Sequence, residues 1–144
     1  MESHTQELVT KPLSNAQLRD LSKEIPDLFG SWGESSVRVM YGWACNLPID
    51  ELWKVHAVPS LSLYNFIHES ERDGLLVMGE SDLFIGDNQE TTYFLLCHEA
   101  DVHFVSSDQH RLACVIQSWK PKGLGLRLAE YDEVQRPNRE WVEI

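Results

Sequence analysis

The side chains with the greatest chemical reach in this 144-residue chain are gathered late in it: Cys97, His98, His103 and His110 fall within fourteen positions, and Cys114 follows. A metal centre would need two or three of them to converge on one point. On extended chain His98 and His103, five apart, project to opposite sides. No C-x-x-C, H-x-x-x-H or H-E-x-x-H spacing accompanies them. The expectation is therefore no metal centre and no cofactor, with these histidines read as strand-end and loop residues. A thiol nucleophile needs an activating and accessible setting. Cys97 ends an apolar run and Cys114 adjoins an apolar helical stripe, so both read as small core residues. Gly123 and Gly125 lack the rest of a phosphate-binding loop. Neighbouring acids such as Glu80 and Asp82, or Asp132 and Glu133, carry no glycosidase signal. The expectation is thus a protein without catalysis, the alternative being a small enzyme that uses His98 or His103.

The strongest compositional signal is charge. Twelve Lys and Arg stand against 23 Asp and Glu, for a net charge of −11. Residues 69–108 hold ten acids and one base, Arg72. Such a balance argues against direct nucleic-acid binding and against anionic membrane surfaces, both of which want basic surface. It suits a basic protein partner, because a one-signed field speeds association with the opposite charge. The residues expected to meet that partner are Glu80, Asp82, Asp87, Glu90, Glu99 and Asp101 for charge, with Trp32 and Tyr93 as aromatic anchors. Three cysteines, Cys45, Cys97 and Cys114, are an odd number at spacings that suit neither disulfides nor metal, which implies reduced thiols and a cytoplasmic setting. The longest uninterrupted apolar run is about five residues, far short of a transmembrane span. The N-terminus shows no basic-then-apolar signal pattern.

These side chains must be positioned by elements that the apolar spacing outlines. Ser14 and Gln17 have capping-box spacing, and Leu18, Leu21 and Ile25 continue at helical period, so a helix is expected over 14–24, stopped by Pro26. Val37 to Cys45 alternate as a strand, and Ile49, Leu52, Trp53 and His56 suggest a short helix over 49–57. Residues 60–68 fit either period. Four apolar runs, 75–79, 82–86, 91–97 and 101–106, are separated by turn-type or charged residues and predict an antiparallel meander. A helix over 108–119 follows, then a strand through Leu124, Leu126 and Leu128. The whole reads as one α+β domain over 1–144, with a mostly antiparallel sheet of about five to six strands and helices on one side. Residues 1–12 are polar and read as a mobile arm, while Trp141 suggests that the tail docks.

The segment 75–119, with its Tyr93-Phe94-Leu95-Leu96 run, its Val102-x-Phe104-Val105 strand and a Ser/Asp-capped helix bearing Ile116 and Trp119, resembles the central unit of the SUKH superfamily. The resemblance spans about 45 residues and implies an α+β protein of the kind found among bacterial immunity proteins, which neutralise toxins by direct contact and carry no catalytic residues. The function expected is an acidic binding protein that occludes the active site of a toxin, most simply a nuclease. The alternative within the same class is an inhibitor or adaptor of another basic nucleic-acid-processing protein.

Overall fold

The computed structural model describes residues 4–134 and 136–144. Eight strands form one antiparallel sheet: β1 (Gln6–Val9), β2 (Ser36–Tyr41), β3 (His56–Pro59), β4 (Leu83–Gly86), β5 (Thr92–Leu96), β6 (Val102–Ser106), β7 (Arg127–Glu130) and β8 (Val142–Glu143), in the order β3-β2-β4-β5-β6-β1-β7-β8. Among the described residues three α-helices, α1 (Asn15–Ser31), α2 (Leu63–Arg72) and α3 (Gln109–Trp119), complete the α+β architecture.

Strand register explains the core. Val39, Ile85, Phe94, Phe104 and Leu8 are successive cross-strand partners, and all five are fully buried. They form one apolar row across five strands. Phe29 of α1 meets Phe94 edge-on with ring centroids 5.5 Å apart, and Trp119 of α3 lies 5.8 Å from the same ring. The row one residue out of phase runs Arg38, Gly86, Tyr93, Val105, Glu7 and Ala129. Because strand side chains alternate between faces, this row lies on the opposite side of the sheet.

Ser14 caps α1 as its spacing indicates: its Oγ accepts from the Gln17 N–H at 3.2 Å, and Gln17 Oε1 accepts from the Ser14 N–H at 3.0 Å. Ser14→Ala is expected to cost about 1 kcal/mol, measured as a shift in the urea midpoint at constant slope. The helix does not stop at Pro26 but runs through it to Ser31. An interior proline costs about 3 kcal/mol or more. Here Leu18, Leu21, Ile25 and Phe29 are all buried on the sheet, and a fully buried side chain of this kind contributes about 1.5–3 kcal/mol. Packing on both sides of the proline therefore outweighs the lost hydrogen bond.

Further expectations are corrected. The described part of the supposed N-terminal arm contains β1, an interior strand between β6 and β7. The expected helix over 49–57 does not form. Trp53 takes a left-handed φ of 64° and donates its N–H to the Tyr41 carbonyl at 2.8 Å, and the chain then enters β3. The run 75–79 is a turn rather than a strand, closed at Gly79 with φ of 85°. Strands β1, β3 and β8 bring the sheet to eight, above the five or six expected. Residues 60–68 resolve into one 3-10 turn leading into α2, and the last long strand falls at 127–130 rather than over Leu124 to Leu128.

Candidate functional site

The face of the sheet opposite the aromatic core row carries two features. Towards β3, the residues Arg38, Met40, Phe84 and Tyr93 with Val55 line a groove of about 400 Å³. Its floor is apolar, and Arg38 and Glu90 close one wall with an ion pair at 2.6 Å. The loop from Gly42 to Val55 stands beside it. Trp53 lies against Phe84 with ring centroids 5.9 Å apart and remains half exposed. Trp43, Ile49 and Val55 of the same loop are exposed too, Ile49 at 86%.

Towards β1 the same face holds a chain of charges. Glu7 Oε2 accepts from His103 Nδ1 at 2.6 Å, and Asp101 Oδ1 accepts from His103 Nε2 at 3.1 Å. Arg139 donates to Glu7 Oε1 at 2.7 Å and to the Glu130 carbonyl, and its guanidinium stacks on Trp141 at 4.5 Å. The side chains of Glu7 and Arg139 are only 3% and 5% exposed. Burial opposes the charge on His103, but hydrogen bonds with Asp101, Cys97 and Glu7 outweigh it and raise its pKa to about 11. For Glu7 burial also works against ionisation, and the contacts with His103 and Arg139 bring it below its usual value. Asp101 is lowered in the same way, burial being overcome by His103. Cys97 lies against this group, its thiol pushed up mainly by burial.

The eight residues expected to meet a partner do not share one surface. The β4–β5 and β5–β6 turns lie at opposite ends of β5, so the acidic block is split between the two ends of the sheet. Asp87 is buried and occupied within its own turn. It accepts from the Thr91 N–H at 2.8 Å, the Thr92 N–H at 3.2 Å and Arg111 at 3.1 Å. Asp82 is buried and accepts from both the backbone N–H and the Nδ1 of His98, at 2.7 and 2.8 Å. That hydrogen bond raises the His98 pKa. Asp101 is committed to His103. These three carboxylates are satisfied internally and offer little charge to a partner, which corrects the expectation for them. Trp32 is also corrected: it packs on Phe29 and Phe94 beneath the Arg111 guanidinium, within the core. Glu80, Glu90 and Glu99 are exposed, and Tyr93 lines the groove.

His98 and His103, expected to face opposite sides, each lie beside Cys97, His98 in a group with Asp82 and His103 in a group with Asp101. The tight turn from Cys97 to Asp101 removes the straight-strand geometry on which that expectation rested. The Cys97 N–H bonds the Asp101 carbonyl, and the Ala100 N–H bonds the Cys97 carbonyl, both at 3.0 Å. Glu7, Arg38, Trp53 and Arg139 escaped sequence reasoning. Only the apolar neighbours Leu8 and Val9 mark Glu7 as part of a strand, and Arg139 sits in a tail without period.

Comparison with protein-family models, curated proteins and solved structures finds no match. No helix among the described residues is long and apolar enough to cross a membrane.

Proposed function

We propose that this chain is a non-catalytic binding protein that neutralises a basic partner by direct contact, in the manner of an immunity protein occluding a toxin, most simply a nuclease. One observation carries the reading. Four large apolar side chains, Trp43, Ile49, Trp53 and Val55, stand exposed on one loop beside an open groove. Clustered exposed apolar side chains on a small domain mark interaction surfaces, and a half-exposed tryptophan over an apolar groove is the residue type that dominates binding energy. Asp50 and Glu51 on that loop, and Glu90 at the groove wall, supply negative charge around it. The net charge of −11 and the likeness of segment 75–119 to SUKH immunity proteins favour a basic toxin as the partner. The state of His103 supports a role other than catalysis, since an imidazolium held between two carboxylates has no free lone pair with which to act as a base at neutral pH. An inhibitor or adaptor of another basic nucleic-acid-processing protein would use the same surface.

The test combines capture and mutation. The wild-type chain is expected to retain a basic protein at low salt and release it along a salt gradient. Ile49→Asp with Trp53→Ala is expected to weaken binding of that protein by at least about tenfold, as loss of a central anchor does, with the circular dichroism spectrum unchanged. Glu90→Lys should slow association and reduce its salt dependence. Absence of any basic partner, or equal affinity in the double variant, overturns the reading. Asp87→Lys is unsuitable here, because it would set a second cation against buried Arg111.

A further inference from the structure

We infer that the β5–β6 turn is a divalent transition-metal site, built for Zn²⁺ from Cys97, Asp101 and His103, with the fourth position open to water. The ligating atoms of Cys97, Asp101 and His103 all lie within 4.8 Å of one another. A second trio, Asp82, Cys97 and His98, meets the same criterion and shares the Cys97 sulfur. Zinc binds sulfur at about 2.3 Å and imidazole nitrogen or carboxylate oxygen at about 2.0–2.2 Å. Tetrahedral ligands at those lengths stand about 3.3–3.6 Å apart. His103 Nε2 and Asp101 Oδ1 are 3.1 Å apart, so that pair needs a shift of only a few tenths of an ångström. A thiolate, imidazole and carboxylate together are a borderline-soft set that suits zinc better than calcium or magnesium.

Support around the ligands points the same way. A metal-bound histidine characteristically donates its far N–H to a carboxylate, which fixes the ring and its tautomer. His103 does so: Nδ1 donates to Glu7 at 2.6 Å, and Arg139 holds Glu7 from the other side at 2.7 Å. Nε2 is thereby aimed at Asp101 and Cys97. The ion would replace the proton that His103 Nε2 shares with Asp101 and the thiol proton of Cys97, releasing two protons to solvent.

The test is titration of the chelator-treated chain with Zn²⁺ at about pH 8, where proton competition is reduced. One equivalent is expected to bind with a Kd below about 0.1 μM. Co²⁺ should give a thiolate-to-metal charge-transfer band and the intense visible bands of a tetrahedral ion. Cys97→Ser should abolish the charge-transfer band, and Asp101→Asn should weaken Zn²⁺ by about ten- to hundredfold. Wild-type affinity in both variants, or no stoichiometric binding by the native chain, overturns the assignment. Partner capture does not enter this readout, so the site and the proposed function stand or fall separately.

Discussion

Glu7→Leu is expected to lower the unfolding free energy by about 3–5 kcal/mol, the cost of leaving a buried ion pair with one partner missing. Among the described residues, Glu7 is the carboxylate hydrogen-bonded to both His103 and Arg139, at 2.6 and 2.7 Å, and its side chain is 3% exposed. Removing it strands two cations on the sheet. Asp101 still holds His103 from the far nitrogen, but Arg139 keeps only the Glu130 carbonyl and the face of Trp141. Arg139 Nε is buried and finds no hydrogen-bond partner among the described residues. The leucine itself is compatible with the strand, since Val105 and Ala129 flank the position on either side. The loss is therefore electrostatic rather than steric. Urea unfolding measures it directly. A cost below about 1 kcal/mol, the value of an exposed pair, would mean that the cluster is wetter than the structure shows. Combining Glu7→Leu with Arg139→Met should recover part of the loss, because replacing both partners by apolar groups avoids the unpaired charge.

The same cluster explains what sequence could and could not reveal. The capped start of α1 and the β4–β5–β6 meander were legible because each rests on neighbours within a few residues: a Ser-x-x-Gln box, and alternation broken by charged turns. Strand β1 was not. Its polar composition reads as an arm until Glu7 finds partners 96 and 132 residues away, a separation no local pattern encodes. The loop 43–55 failed for a different reason. Ile49, Leu52, Trp53 and His56 have helical spacing, but spacing does not require burial: Ile49 is 86% exposed, and Trp53 sits at φ of 64°. The acidic block misled through topology. A meander sends alternate turns to opposite ends of the sheet, so residues adjacent in sequence, such as the acids around Asp87 and those around Asp101, end up far apart. Topology also had the converse effect on His98 and His103. A five-residue separation implies opposite faces on straight chain, but the turn between them folds both against Cys97.

Stability is expected to fall as pH rises above neutrality. In the unfolded chain His103 loses its proton near pH 6.5, whereas in the folded chain it keeps it to about pH 11. The stabilisation this provides is fully present below about pH 6.5 and is lost progressively as pH climbs towards 11. One proton taken up on folding corresponds to about 1.4 kcal/mol per pH unit. Between about pH 7 and pH 8.5, with EDTA present, the chain should therefore lose on the order of 2 kcal/mol. The groups facing the imidazole act in known directions. Glu7 and Asp101 have depressed pKa values, so their stabilisation is complete above about pH 4.5 and disappears only on acidification. Cys97 is raised above its usual value, so it steepens the loss only where a free thiol would ionise, above this window. His98 is raised as well, by its bond to Asp82, and adds to the early part of the slope. Glu7→Gln combined with His103→Gln removes the central contribution while keeping two groups that can hydrogen-bond each other. The difference in urea stability between wild type and this double variant should narrow steadily from about pH 6.5 upward. A difference that stays constant to about pH 8.5 would show that His103 is neutral in the folded protein, and the charge pattern of the open face would then have to be redrawn around Arg139 as its buried cation.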